Sequence, residues 1–178
     1  TIDELPQSAA GRTVMTTQPN FIPRQGVDIV IGDNQNLKVR LVDCVGYMIN
    51  GAQGDTEEGK PRMVKTPWFK QEIPFEKAAR IGTAKVIREH STIGVVVTTD
   101  GSISDIPREN YLSAEEKVIT RLKAMNKPFV TIVNSTNPEG PSAAAAARQI
   151  FTKYNVPVKC VNCLDMDKNV IEEILTIA

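Results

Sequence analysis

Residues 93–97 have the sequence IGVVV and lie between Thr92 and Thr98. A continuous apolar run of this length is typical of a β-strand that is buried on both faces of a sheet. After it, the apolar pattern predicts a helix at 113–125, a strand at 129–133, a helix at 142–154, a strand at 156–161 and a helix from 168 to the end. Ser113 and Glu116 have the spacing of a capping box at the first of these helices. Strands that alternate with helices indicate an α/β fold, a mostly parallel sheet with helices on both faces.

The part of the chain before this stretch has a different pattern. Residues 27–31 and 37–42 alternate apolar and polar side chains around the turn-forming residues 32–36. This predicts a β-hairpin that adds one antiparallel edge to the sheet. Residues 1–24 and 46–72 are rich in turn-forming and charged residues, and both are predicted to be loops. A helix is predicted to follow the second loop, from Pro74 to His90.

The composition limits the class of protein. A chain of 178 residues has the length of one domain, so residues 1–178 are predicted to form a single domain. Lysine plus arginine and aspartate plus glutamate both number 21, so the net charge is zero, which argues against a nucleic-acid partner. Three cysteines do not make a disulfide framework and fit a reducing compartment. Cys160 and Cys163 form a C-x-x-C pattern without further cysteine or histidine partners, so packing at a strand end is favoured over a redox or zinc site.

The strand predicted at residues 37–42 is followed by the sequence DCVG, from Asp43 to Gly46. In P-loop nucleotidases an aspartate at the carboxyl end of a strand holds Mg²⁺, and a glycine three residues later lets its N–H approach the γ-phosphate. Asp43 is therefore a candidate magnesium ligand and Gly46 a candidate nucleotide-binding residue. An ordinary strand-to-loop turn has the same pattern, and that alternative remains open.

Two threonines, Thr16 and Thr17, lie in the polar segment before the hairpin. In nucleotidases a switch threonine closes over the γ-phosphate with its hydroxyl on the metal, which makes this pair the candidate catalytic residues and Thr17 a second candidate metal ligand. A solvated turn is the alternative for the pair taken alone. The order of elements along the chain is the one expected of a domain similar to the switch GTPases: a threonine loop, a hairpin, D-x-x-G, a long loop and a helix.

The strand predicted at residues 129–133 is followed by Asn134, Ser135, Thr136 and Asn137. Guanine-specific nucleotidases carry Asn-Lys-x-Asp at this strand end, where the aspartate binds the guanine edge. Asn134 is thus a candidate nucleotide-binding residue, while Ser135 and Asn137 replace the lysine and the aspartate. An amide cannot accept two N–H bonds as a carboxylate does, so the loop disfavours guanine. A simple loop cap is the alternative.

Long stretches of the chain closely resemble the stage IV sporulation protein A family, the spore-coat morphogenetic ATPases of endospore-forming Firmicutes. The stretches are DELPQSAAG at 3–11, TTQP at 16–19, LVDCVGY at 41–47, PRM at 61–63, TPW at 66–68 and EHSTIGVVVTTDG at 89–101. The resemblance implies a P-loop NTPase fold of the translation-factor GTPase type that hydrolyses ATP with Mg²⁺. It matches the family's threonine pair to Thr16 and Thr17, and its magnesium-site aspartate to Asp43.

The resemblance also implies a biological setting. ATP hydrolysis drives proteins of this family to self-polymerise into the basement layer of the spore coat. This layer lies in the mother-cell cytoplasm on the outer forespore membrane surface, where a small amphipathic membrane-bound protein recruits the scaffold and other coat proteins join it. The family carries a strand, a P-loop (G-x-x-x-x-G-K-[ST]) and a helix before the region that matches Thr1. The present sequence has no such pattern, since its one Gly-Lys pair, Gly59-Lys60, is followed by Pro61. Either the segment lies upstream of the present sequence, or this form does not bind nucleotide in the normal way. The alternative is a structural or binding module without nucleotide chemistry.

Overall fold

The computed structural model describes residues 7–9, 12–14, 21–31, 35–52, 54–57 and 59–178. The chain forms two compact units. Unit 1 comprises residues 1–27 and 38–91, and unit 2 comprises residues 28–37 and 92–178. The single domain expected over residues 1–178 stays a prediction.

The described elements lie in the following order along the chain. The strands are β1 (Gln7–Ala9), β2 (Arg12–Val14), β3 (Phe21–Ile31), β4 (Gln35–Val42), β5 (Thr56–Glu57), β6 (Lys60–Pro61), β7 (Met63–Lys65), β8 (Ile73–Pro74), β9 (Gly94–Thr99), β10 (Phe129–Asn134) and β11 (Val158–Val161). The helices are α1 (Phe75–Lys85) with a following π-helical turn (Val86–His90), α2 (Leu112–Ala124) after a 3₁₀ turn (Arg108–Tyr111), α3 (Pro141–Tyr154) and α4 (Lys168–Ile177). Among the described residues, no helix combines the length and apolar character needed to cross a membrane.

Unit 2 is built on a three-stranded parallel sheet in the order β11-β10-β9. The central strand β10 pairs with β9, where Phe129 stands opposite Gly94, and with β11, where Thr131 stands opposite Val158. Residues 129–133 of β10 are all buried. The predicted α/β class and the three predicted strands of this region are therefore confirmed.

Helices lie on both faces of β10. Because successive side chains of a strand point to opposite faces, Val130 and Ile132 share one face and Phe129 shares the other with its partner Gly94. α4 covers the first face, where the two β10 side chains pack with Ile174. α2 covers the second face, where Leu122 lies 3.0 Å from the position that a β-carbon on Gly94 would take.

β9 is buried on one face only, which contradicts the prediction of burial on both. Val96 is buried, whereas Val95 is 42% exposed and Val97 is 58% exposed. The two exposed valines stand beside Val130 and Ile132, on the face that α4 covers. α4 packs there over β10 and β11, so the valines at the edge of the described sheet stay open to solvent.

The ends of α3 and α4 follow from local sequence. α3 begins with Pro141 at its first position, where the missing N–H costs no helical hydrogen bond. It ends at Asn155, whose φ of 49° is left-handed. Asp167 caps α4, since its side chain accepts a hydrogen bond of 2.9 Å from the backbone N–H of Val170.

The capping box predicted at the start of α2 is wrong. The 3₁₀ turn leads directly into the helix, so Tyr111 takes the cap position and no side chain caps it. Ser113 consequently lies inside the first helical turn. The carboxylate of Glu116 instead forms an exposed ion pair of 2.9 Å with Lys153 of α3.

Unit 1 contains a mixed four-stranded sheet in the order β1-β2-β7-β8. β2 and β7 are parallel, and the two outer pairs are antiparallel. Val64, Ile73, Phe75 and Ala78 form the buried cluster of this unit. The helix predicted after Pro74 is confirmed as α1 and its π-helical turn, and its apolar face supplies half of this cluster.

The loops predicted over residues 1–24 and 46–72 are wrong where β1, β2, the start of β3 and β5–β7 lie. Except for β3, these strands have only two or three residues. An alternation of apolar and polar side chains cannot appear over so few positions.

β3 and β4 confirm the predicted hairpin, with strands longer than predicted. They form a two-stranded sheet of their own, so the hairpin is not the antiparallel edge of the parallel sheet among the described residues. The prediction of a single antiparallel hairpin is also wrong, because β1-β2, β5-β6 and β7-β8 are further antiparallel pairs.

Candidate functional site

Polar side chains gather where the strands of the parallel sheet end. The carboxyl ends of parallel strands meet at one edge of a sheet, and α/β proteins bind ligands at that edge. Asp100 follows β9, Asn134 ends β10, and Asn162 follows β11. We call the group of polar residues on these three loops the carboxyl-edge cluster: Asp100, Ser102, Asn134, Ser135, Asn137 and Asn162.

The carboxylate of Asp100 connects two of the loops. Its Oδ1 accepts hydrogen bonds from the backbone N–H of Ser102 at 3.0 Å and from the Ser102 hydroxyl at 2.6 Å. Its Oδ2 accepts a hydrogen bond of 2.7 Å from the hydroxyl of Ser135, which is completely buried. The loop after β9 is thereby fixed to the loop after β10.

The pKa of the Asp100 carboxyl lies below its ordinary value. Burial is the largest single influence and raises this pKa, but it is outweighed by the hydrogen bonds from the hydroxyls of Ser102 and Ser135 and from the Ser102 backbone. Asp100 is therefore ionised at neutral pH, and an ionised carboxylate only accepts hydrogen bonds.

The same two hydroxyls hold the backbone of the loop after β10. The N–H of Thr136 donates to the Ser102 hydroxyl, and the N–H of Asn137 donates to the Ser135 hydroxyl, both at 3.0 Å. The side chain of Asn137 lies against Gly140, where an added β-carbon would be 2.8 Å from Asn137 Nδ2. The backbone of Asn137 is thus held by Ser135, while its exposed side chain packs against Gly140.

Asn134, a predicted nucleotide-binding residue, contacts the loop after β11. Its Oδ1 accepts a hydrogen bond of 3.0 Å from the backbone N–H of Cys163. Asn162 closes the turn of that loop by accepting from the N–H of Leu164 at 3.1 Å. The turn presents the Leu164 side chain to solvent with 92% exposure. The amide of Asn134 therefore joins β10 to the β11 loop, and its contact with nucleotide stays a prediction.

A buried ion pair fixes the end of β9 and was not found from the sequence. Arg108 Nη1 donates to Glu115 Oε2 at 2.6 Å, to Thr98 Oγ1 at 2.9 Å and to the carbonyl of Thr99 at 3.1 Å. The side chains of Arg108 and Glu115 are 12% and 2% exposed. A pair that spans a turn has no characteristic spacing, so no pattern marked it. Asp100 and Ser102 carried one usable signal, a polar Thr-Thr-Asp-Gly-Ser run directly after an apolar strand.

The D-x-x-G segment lies in unit 1. Asp43 is exposed directly after β4, and its Oδ1 accepts a hydrogen bond of 2.8 Å from the N–H of Cys44. Gly46 has a φ of 80°, in the left-handed region that favours glycine. Its N–H donates to the Thr83 hydroxyl at 3.0 Å, and that hydroxyl donates to the Gly46 carbonyl at 3.2 Å. The N–H that was predicted to approach a γ-phosphate is engaged here by Thr83 of α1.

The exposed carboxylate of Asp43 fits a magnesium site. Mg²⁺ binds proteins through one or two carboxylates and completes its shell with waters and substrate phosphates. Within the described ranges, no group of three or more histidine, cysteine, aspartate or glutamate side chains could hold a metal ion. Thr16 and Thr17 lie outside the described residues, so their catalytic and metal-binding roles stay predictions.

The C-x-x-C cysteines are packed at the end of β11. The Cys160 thiol donates to the carbonyl of Ala143 at 3.5 Å, and Cys163 packs against a cluster that includes Val161 and Ile174. Burial raises the pKa of both thiols. A raised pKa lowers the thiolate fraction, so both cysteines have the character of packing residues.

Comparison with known proteins places the chain in a family. The sequence model described as "Stage IV sporulation protein A, ATPase domain" matches residues 1–178. The chain belongs to the stage IV sporulation protein A ATPase-domain family. The resemblance found in the sequence is thereby confirmed.

Three relatives of the family share about half of the residues of this chain. "Stage IV sporulation protein A" of Bacillus subtilis (strain 168) is 49% identical over 173 residues, which cover 97% of this chain and 35% of the relative. The protein of the same name in Bacillus anthracis is 53% identical over 156 residues, 88% of this chain and 32% of the relative. That of Clostridioides difficile (strain 630) is 49% identical over 175 residues, 98% of this chain and 36% of the relative.

The chain spans about a third of the length of these relatives. No solved structure matches the chain. The family is therefore established by sequence, and the geometry of the two candidate sites comes from the present structure alone.

Proposed function

We propose that the chain is part of an ATP hydrolase with a P-loop NTPase-like fold, in which hydrolysis drives assembly of a sporulation scaffold. The observation that carries the proposal is the exposed Asp43 carboxylate at the end of β4, with Gly46 three residues later, in a chain of the ATPase-domain family. A carboxylate at this place suits Mg²⁺, and a glycine with φ of 80° suits close approach of a phosphate to the backbone.

Each candidate residue has one role in this proposal. Asp43 and the hydroxyl of Thr17 hold Mg²⁺, which neutralises phosphate charge when it is bound. Thr16 and Thr17 act on the γ-phosphate as their segment closes. The Gly46 N–H leaves Thr83 to donate to the γ-phosphate. Asn134 joins the loop after β10, which contacts the base, to the loop after β11.

The base preference follows from the loop after β10. Asn137 carries an amide where guanine-specific nucleotidases carry a carboxylate. An amide offers one donor side and one acceptor, which match the donor and acceptor of adenine. Guanine offers two adjacent N–H donors and needs two acceptors. We therefore propose that ATP is preferred to GTP.

The scaffold itself follows from the family. The relatives are named as stage IV sporulation proteins. We propose a homopolymer that forms the basement layer of the spore coat in the mother-cell cytoplasm, at the outer forespore membrane surface. A small amphipathic membrane-bound recruiter and other coat proteins are the proposed partners, and the membrane is contacted only through the recruiter. The zero net charge supports the absence of a nucleic-acid partner.

The test uses the full-length protein and measures ATP affinity, Mg²⁺-dependent hydrolysis and sedimentation of polymers. Asp43→Asn should weaken Mg²⁺-dependent ATP binding and lower hydrolysis. The double variant Thr16→Ala/Thr17→Ala should lower turnover by about 100-fold and change affinity modestly, because its hydroxyls act mainly in the transition state. Polymers should fail to form in both variants. Asp105→Asn, at an exposed aspartate outside the candidate sites, is the matched control.

Two results would count against the proposal. Normal hydrolysis in the threonine double variant would identify Thr16 and Thr17 as ordinary loop residues. A wild-type protein that polymerises without binding ATP would instead support the alternative, a structural module without nucleotide chemistry.

A further inference from the structure

The carboxyl-edge cluster contains a branched chain of hydrogen bonds that begins at one carboxylate. Asp100 accepts from the hydroxyls of Ser102 and Ser135, at 2.6 Å and 2.7 Å. Those hydroxyls accept from the backbone N–H groups of Thr136 and Asn137. One side chain on the loop after β9 therefore holds two consecutive amides on the loop after β10.

The direction of each hydrogen bond in this chain is fixed by Asp100. A carboxylate cannot donate, so both hydroxyl protons must point toward it. The hydroxyl lone pairs are then free to accept from the amides. Asp100→Asn would keep one acceptor and place an NH₂ group where the second acceptor stood. One of the two serine hydroxyls would then no longer have to point its proton toward residue 100.

The side chain of Asn137 is exposed and packs against Gly140. The backbone of Gly140 has φ of −74° and ψ of 163°, which any residue adopts. A β-carbon there would nevertheless lie 2.8 Å from Asn137 Nδ2 and 3.0 Å from its Cγ. A β-carbon at residue 140 would therefore displace the Asn137 side chain.

We propose that Asp100 is the positioning residue that sets the base preference of the loop at residues 134–137. It acts through Ser135 and Ser102 on the backbone, while Gly140 leaves room for the side chain, so that the loop presents the Asn137 amide to the base from one place. This inference rests on the proposed nucleotide function. An amide presented from one place can pair its NH₂ group and its oxygen together with the acceptor and the donor of adenine, whereas a displaced amide loses that match.

The test measures the dissociation constants of ATP and GTP and the kinetics of ATP hydrolysis in the full-length protein. Asp100→Asn should reduce the ratio of GTP to ATP dissociation constants by about 5- to 10-fold, which is the effect expected when one hydrogen bond no longer favours adenine over guanine. It should raise KM for ATP and leave kcat nearly unchanged, because the base is remote from the transferred phosphate. Gly140→Ala, which displaces Asn137 without touching Asp100, should reduce the ratio in the same direction. Asp105→Asn should leave it unchanged.

The outcomes separate this inference from the proposed function. A wild-type protein that binds neither nucleotide overturns both. A wild-type protein that prefers ATP, together with an Asp100→Asn variant of unchanged preference that still melts at the wild-type temperature, overturns the inference alone. Equal weakening of ATP and GTP binding in both variants would show a purely structural role and would also overturn it.

Discussion

The hydroxyl of Thr83 makes both of the described contacts that hold the backbone of Gly46. The side chain is 2% exposed and belongs to α1, 37 residues further along the chain. It accepts from the Gly46 N–H and donates to the Gly46 carbonyl. The D-x-x-G segment is therefore held against α1 by two hydrogen bonds from one buried group.

Thr83→Val removes both hydrogen bonds at nearly constant volume, so we expect a loss of about 1–3 kcal/mol in the free energy of unfolding. Thr83→Ser keeps the hydroxyl and should cost about 1 kcal/mol, the effect of a lost methyl group. Urea unfolding of the full-length protein measures both. Thr152→Val, at an exposed position of α3, is the control for the threonine-to-valine change. A Thr83→Val variant as stable as this control would show that the contact has no net energetic value.

At this scale the sequence predicted one partner of the contact and missed the other. Asp43 and Gly46 were recognisable because an aspartate and a glycine at fixed spacing follow an alternating strand. Thr83 lies in a helix whose pattern predicted only an apolar face. Its hydroxyl is directed to Gly46 by the packing of α1, which no local spacing encodes.

β9 is an edge strand of the parallel sheet among the described residues. The N–H of Gly94 donates to the carbonyl of Pro128, next to β10. Because successive N–H groups of a strand point to opposite edges, those of Val95 and Val97 point away from β10. Their side chains are also the exposed ones, so this strand leaves both an open hydrogen-bonding edge and an apolar surface.

We expect a further strand to pair with this edge of β9 in the full-length protein, since an open apolar edge invites pairing. Amide hydrogen exchange tests this directly. The N–H groups of Val95 and Val97 should then exchange within about tenfold of the rate of Val96, whose N–H faces β10. Exchange at Val95 and Val97 that is several orders of magnitude faster would show that the edge stays open.

The elements of unit 2 were more predictable than those of unit 1 for a physical reason. β9, β10 and β11 are strands of four to six residues with mostly apolar side chains, separated by periodic helices, which is a pattern that burial imposes on the sequence. The apolar run at β9 predicted a strand correctly. It also predicted burial on both faces, because apolar composition cannot show whether a helix reaches the edge strand. The strands of two or three residues in unit 1 left no pattern at all.

At the scale of the whole molecule, the chain belongs to an ATPase-domain family and carries two candidate sites. The carboxyl-edge cluster joins Asp100 to Ser135 across 35 residues of sequence. The sequence predicted that Asn134 and Asn137 would lie at a strand end, and β10 confirms the strand. The link to Asp100 depends on parallel pairing of β9 with β10, so it became visible only once the sheet was known.

Competition between ATP and GTP for the full-length protein is the decisive measurement, because it tests nucleotide binding and the amide-based preference together. With Mg²⁺ and equal concentrations of the two nucleotides, ATP should occupy most sites, with a preference of about 10-fold or more. If GTP displaces ATP at equal concentration, the loop after β10 does not set a preference for adenine.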